Sequence, residues 1–117
     1  ASSATFVDES GAACKLIQEN LKKTNLSDIS TVYRSDYELY LHKCSEKFNI
    51  VFLDPPYNKD FLEKSLKLIT EIDILQSGGI IVTERPLDKE LPCDFPGFSR
   101  SKDYKYGKTL LCLYRKE

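Results

Sequence analysis

The chain has 117 residues, 41% of them hydrophobic and 30% charged, with a formal net charge of −1. That length bounds it to one domain with a modest core, and the composition is that of an ordinary globular protein, not a disordered, collagenous or disulfide-rich one. No apolar run approaches the roughly 20 residues that a bilayer-crossing helix needs, and these residues contain no secretory signal pattern.

Residues 4–8, ATFVD, are a short apolar run closed by an acid and read as a strand. A helix follows. Ser10 is its N-cap, and Ala13, Leu16, Ile17 and Leu21 fall on one helical face. Lys22 and Lys23 sit in its last turn, where cations suit the helix dipole. STVYR, 30–34, is β-rich. SDYELYLHKC, 35–44, is a short helix starting near Asp36. FNIVFLD, 48–54, is a continuous apolar run, the mark of a strand buried on both faces. KDFLEKSLKLITEID, 59–73, is helical, with Leu62, Leu66, Ile69 and Ile72 in one stripe. Gly78 and Gly79 break the chain, and IIVTE, 80–84, is a second buried strand. RPLDKELPCDFPG, 85–97, reads as a loop. FSRSKDYKY and KTLLCLYRK flank Gly107 as the two strands of a hairpin.

Alternating β and α segments with continuous apolar strands predict an α/β domain. Its sheet is mostly parallel, with a C-terminal antiparallel hairpin. Ligands of open α/β sheets bind outside the carboxyl ends of the strands. Asp8, Asp36 and Asp54 all fall at or just beyond such ends, and Glu84 ends another strand. His42 lies among charged residues of a short helix and reads as a surface side chain. The four cysteines, Cys14, Cys44, Cys93 and Cys112, form no close CxxC pair, and only His42 could join them as a nitrogen ligand, so no metal is expected; they read as reduced cytosolic thiols, with disulfides as the alternative. Of the 17 lysines and arginines, 6 lie in residues 98–117 against 2 of the 18 acids. A basic end of this kind can meet a phosphate backbone or simply be a solvated hairpin.

The most informative stretch is Asp54-Pro55-Pro56-Tyr57. Proline lacks an N–H and fixes φ, and Pro56 holds Pro55 extended, so the chain leaves the strand stiffly. The result is two acceptors, the Asp54 carboxylate and a proline-region carbonyl, with an aromatic ring beside them. A planar base with an exocyclic amine matches that set: the amine donates twice, and the base stacks on Tyr57 for about 1–3 kcal/mol.

These four residues resemble the [Asp/Asn/Ser]-Pro-Pro-[Tyr/Phe/Trp] signature of S-adenosylmethionine-dependent amino-methyltransferases. TFVDES…AACKLIQENLKKTNL before them, LLCLYRK after them, and the lack of a large target-recognition insertion narrow the likeness. The chain resembles the RsmD family, bacterial enzymes that methylate the exocyclic N2 of a guanine in 16S ribosomal RNA. The resemblance implies a Rossmann-like class I methyltransferase fold and, for residues 1–117, a partial catalytic domain. It implies S-adenosylmethionine as cofactor, 16S ribosomal RNA or the assembling small ribosomal subunit as partner, and a cytoplasmic location without membrane or metal. Residue by residue, it implies that Asp8 accepts from the cofactor ribose and that Asp36 and Tyr37 sit at its adenine. Asp54 and the Pro55 carbonyl, braced by Pro56, orient the target amine. Tyr57 stacks on the guanine. Arg100, Lys102, Lys105, Lys108, Arg115 and Lys116, interleaved with Tyr104 and Tyr106, face RNA phosphates. Glu84 supports the site from behind.

The family's first strand and glycine-rich loop are missing from this sequence, in which the nearest glycine is Gly11. A βα unit takes roughly 30 residues, and removing a central strand leaves unpaired edges. The expectation is that these residues alone bind the methyl donor poorly or self-associate. Three other readings stay open. The chain could be an amino-methyltransferase acting on adenine in DNA or on a protein glutamine, or a non-catalytic Rossmann-like binding fragment. An NAD-linked enzyme is the weakest, because G-x-G-x-x-G is absent.

Overall fold

A computed structural model describes residues 2–53, 59–86, 95–101 and 103–117. The chain forms two compact units, residues 1–44 and 45–117.

In the first unit, strand β1 (Ala4–Asp8) pairs in parallel with β2 (Ser30–Arg34), from Ala4 opposite Ser30 to Asp8 opposite Arg34. Between them runs helix α1 (Gly11–Lys23), followed by a short 3-10 turn (Ser27–Ile29). Helix α2 (Tyr37–Lys43) follows β2. The N-terminus of α1 is capped as the sequence predicts: Ser10 is extended, and its hydroxyl accepts the Ala13 N–H at 3.2 Å. Its C-terminus closes in a two-bond motif. The Leu26 N–H reaches the Leu21 carbonyl at 2.9 Å, and the Asn25 N–H reaches Lys22 at 3.3 Å. Asn25 takes the left-handed conformation that this ending requires, with φ 59.

The buried residues of this unit are Cys14, Leu21 and Leu41. The predicted α1 face therefore needs correcting. Leu16 is 58% exposed, and the inward line runs through Cys14, Ile17 and Leu21, with the Cys14 thiol donating to the Asp8 carbonyl at 3.4 Å.

The second unit holds a five-stranded sheet in the order β3-β4-β7-β5, with β6 also on β7. Strand β3 (Phe48–Leu53) leads to helix α3 (Lys59–Glu71) and then to the long strand β4 (Leu75–Pro86). The last three strands are β5 (Phe98–Arg100), β6 (Tyr104–Tyr106) and β7 (Thr109–Lys116). β3 and β4 are parallel, whereas β7 runs antiparallel to β4, β5 and β6. Leu62, Leu66 and Ile69 of the predicted α3 stripe are buried. On the sheet, Ile81, Thr83 and Arg85 alternate along β4, and Cys112 and Tyr114 lie across from Thr83 and Ile81 on β7; all are buried.

Three expectations change here. Gly78 and Gly79 do not end an element but form an irregularity within β4, because Phe48 pairs with Leu75 while Ile50 pairs with Ile80. A Cβ on Gly79 would meet the Gln76 carbonyl at 2.8 Å and the Asn49 carbonyl at 3.1 Å, so the bulge closes only around glycine. Arg85 and Pro86, read as loop, extend β4 opposite Leu110 and Thr109. Finally, β3 is not buried on both faces. Ile50 is 61% and Phe52 60% exposed, since among the described residues β3 pairs only with β4 and the face it shares with Ile80 and Val82 is half open.

The single predicted C-terminal hairpin is also subdivided. Arg100 faces Tyr114 and Tyr104 faces Leu111, four positions along one side against three along the other, so the register gains one residue between the two pairs. Such a step turns the strand, and Asp103 stands within it.

Candidate functional site

Parallel pairing sets the carboxyl ends of β1 and β2 side by side. The Ser35 N–H donates to the Asp8 carbonyl at 3.0 Å, carrying the ladder one step past Arg34. Asp8 is therefore brought to the same edge of the sheet as Asp36 and Tyr37. Asp8 is half-buried, and its Oδ1 accepts the Ser10 N–H at 2.8 Å. Among the described residues none bonds Oδ2. Asp36 caps α2: its Oδ1 accepts from the Glu38 N–H at 2.8 Å and the Leu39 N–H at 3.3 Å. Tyr37, the first residue of α2, is half-buried, and its hydroxyl donates to Glu38 at 3.3 Å. Each aspartate thus has one oxygen fixed by backbone N–H groups and one directed elsewhere. A carboxylate fixed in that way at a strand end suits a vicinal diol, the group presented by a ribose.

Asp54, Pro55, Pro56 and Tyr57 lie outside the described residues. The chain reaches them from Leu53, which pairs with Thr83 at the carboxyl ends of β3 and β4. Thr83 is fully buried, and Glu84 is half-buried, opposite Leu111.

At the same carboxyl end of β4, where Pro86 pairs with Thr109, Tyr106 pairs with Thr109 around a two-residue turn, Gly107-Lys108. Gly107 has φ 61, the conformation that a tight hairpin requires at its first loop position. Lys105 and Lys108 are exposed, with Tyr104 at 41% and Tyr106 at 64% exposure. The rest of the basic cluster is corrected. Arg100 is half-buried and pairs with Asp103 at 2.8 Å, with its guanidinium 6.0 Å from the Tyr114 ring centre. Lys116 is held by Asp73 at 2.7 Å and by the Leu75 carbonyl at 2.8 Å. Arg115 donates to the Gly78 carbonyl at 3.0 Å. Lys102 lies outside the described residues. Among the described residues of this segment, Lys105 and Lys108 are exposed lysines that a polyanion can reach. His42 is exposed in the last turn of α2.

Sequence reasoning missed the Arg85–Asp103–Arg100 knot. Burial pushes the Asp103 carboxyl up, but hydrogen bonds from Arg100 and Arg85 outweigh it and hold the group below the usual carboxylate range. Burial likewise works against both guanidinium charges, and the bonds to Asp103 more than restore them. Burial and a bond to Asp103 push the neighbouring Cys112 thiol up. Cys14, Cys44 and Cys112 are free thiols, and no cluster of metal-ligating side chains occurs among the described residues. No helix among them is long and apolar enough to cross a membrane.

The protein family described as Conserved hypothetical protein 95 matches residues 1–115. The chain belongs to this family. It is 35% identical over 114 residues to YlbH of Bacillus subtilis (strain 168), a protein provisionally named an rRNA methyltransferase; the match covers 95% of this chain and 62% of that one. It is 25% identical over 117 residues to Ribosomal RNA small subunit methyltransferase D of Escherichia coli (strain K12), covering 100% of this chain and 59% of that one. A solved structure of the Escherichia coli protein yhhF, also provisionally named a methyltransferase, superposes with a TM-score of 0.88 at 25% identity. It covers 100% of this chain and 65% of that one. The fold is the Rossmann-like α/β fold of class I methyltransferases. The chain spans about three fifths of the length of the curated relatives it matches.

Proposed function

We propose that the protein transfers a methyl group from S-adenosylmethionine to the exocyclic N2 of a guanine in 16S ribosomal RNA, as a cytoplasmic enzyme acting on that RNA or on the assembling small subunit. The observation that carries this reading is the sequence Asp54-Pro55-Pro56-Tyr57 directly after β3, where Leu53 pairs with Thr83 of β4, in a chain of this family.

Asp8 is assigned to the cofactor ribose, a reading supported by its place at a strand end with Oδ1 held by the Ser10 N–H, which leaves Oδ2 for a diol hydroxyl. Asp36 and Tyr37 occupy the same edge and are assigned to its adenine end. S-adenosylmethionine supplies, when bound, a methyl carbon on a sulfonium whose leaving group is a neutral thioether. The chain's task is then alignment, because no activated covalent nucleophile is required. Asp54 and the Pro55 carbonyl accept hydrogen bonds from the two amine N–H groups, which directs the nitrogen lone pair away from them, and Asp54 takes the proton that the nitrogen sheds once the carbon–sulfur bond has broken and the methyl is transferred. Tyr57 holds the ring of a guanine drawn out of its stack. Lys105 and Lys108 contact neighbouring phosphates.

The test is mass spectrometry of 16S ribosomal RNA from cells with and without the gene. Loss of one N2-methylguanine, restored by the gene, is expected. Its persistence together with loss of N6-methyladenine in DNA would replace the substrate.

A further inference from the structure

Asp103 stands immediately before β6 and is gripped from two other strands. Arg85 of β4 donates to its Oδ2 at 2.9 Å, and Arg100 of β5 donates to Oδ2 at 2.8 Å and Oδ1 at 3.0 Å. The Arg85 and Arg100 side chains are only 6% and 11% exposed. Strand β7 lies between β4 and β5, so the knot spans it from both sides at the point where the register gains a residue.

A buried ion pair is a poor way to gain stability, because desolvating the charges cancels most of the attraction. What charge-assisted forks do provide is direction. The segment they direct is β6, three residues long, which among the described residues pairs only with β7. A strand that short is not self-supporting. It nevertheless carries exposed Tyr104, Lys105 and Tyr106 and leads into exposed Lys108, two rings and two cations within five residues.

We propose that Asp103 is a positioning residue for RNA contact. Held by Arg85 and Arg100, it fixes the entry to β6, so that the Tyr104–Lys108 tip meets a single-stranded stretch beside the target base already ordered. Rings stack on unpaired bases and lysines meet phosphates. Ordering the tip beforehand removes an entropy cost from binding. This rests on the reading that the protein acts on RNA.

The experiment uses the full-length protein, an in vitro 16S RNA transcript for kinetics and a fluorescent single-stranded RNA of about a dozen nucleotides for binding. Asp103→Asn should raise the KM for RNA and the oligonucleotide Kd roughly tenfold. The kcat and the cofactor Kd should change by less than about twofold in the same measurements, even though the melting temperature falls because the guanidinium groups lose their counter-charge. Lys105→Ala/Lys108→Ala should do the same, and adding Asp103→Asn to it should cost little more, because both act through one tip. If Asp103→Asn does not stay folded, Arg100→Lys, which keeps the charge but loses the fork, should give the same split. If the lysine pair leaves RNA affinity unchanged, the hairpin is not an RNA surface and that part of the functional reading fails. If the lysine pair weakens RNA binding while the Asp103 and Arg100 variants do not, the positioning role alone is overturned. A parallel loss of kcat, cofactor binding and melting temperature in these variants would also overturn it, making the knot purely structural.

Discussion

Asp8 accepts the Ser10 backbone N–H at 2.8 Å through Oδ1, and that bond couples the end of a strand to the cap of the next helix. Ser10 is itself the N-cap of α1, so the carboxylate direction is set by the same turn that starts the helix. The second oxygen is thereby held in place without being consumed.

Asp8→Asn keeps an acceptor for Ser10 but removes the charge. Hydrogen bonds to a charged group are worth about 1.5–3 kcal/mol, so the Kd for S-adenosylmethionine should rise by roughly 10- to 100-fold. Calorimetry on the full-length variant checks this. An unaltered Kd would remove Asp8 from the cofactor site.

Asn25 holds φ 59 at the end of α1. A left-handed conformation costs an ordinary residue roughly 1–2 kcal/mol, and a β-branched one at least that. Asn25→Val should therefore lower unfolding free energy by about that amount, while Asn25→Gly should be neutral or slightly stabilising. Urea denaturation of the two variants distinguishes this account from a side-chain role for Asn25, which would make both substitutions costly.

Asp73 is bound by Lys116 at 2.7 Å and by Lys47 at 2.8 Å. The hydrogen bond from Lys116, then that from Lys47, lowers its pKa from 3.8 to about 2. A depressed folded-state pKa adds stability above the unfolded value and loses it as pH falls toward the folded one. The contribution should thus be intact above pH 3.8 and fade between there and about pH 2. Because the group is exposed, salt should weaken it. Thermal melts across that range should differ in slope between the parent and Asp73→Asn; identical profiles would assign the acid sensitivity to other carboxylates.

What could be read from the sequence was what is local. Ser10 and Asp36 cap the helices they precede, and the strand spans 4–8 and 30–34 match the structure residue for residue. Patterns that depend on distant partners were not readable. Lys116 meets Asp73 from 43 positions away and Arg85 meets Asp103 from 18, so neither lysine nor arginine could be told from a solvated charge. The apolar run of β3 looks the same whether one face or both are covered, and Ile50 and Phe52 prove exposed. The bulge at Gly79 is legible as a break but not as a break inside a strand. The proposed catalytic residues Asp54, Pro55, Pro56 and Tyr57 lie outside the described residues.

The most direct measurement of the central claim is single-turnover methyl transfer from radiolabelled S-adenosylmethionine to 16S ribosomal RNA by full-length protein carrying Asp54→Ala. The account predicts a fall in the transfer rate of at least about 100-fold, with cofactor Kd and melting temperature close to those of the parent. Transfer at the parental rate would contradict it, because the amine would then be oriented by something other than the Asp54 corner.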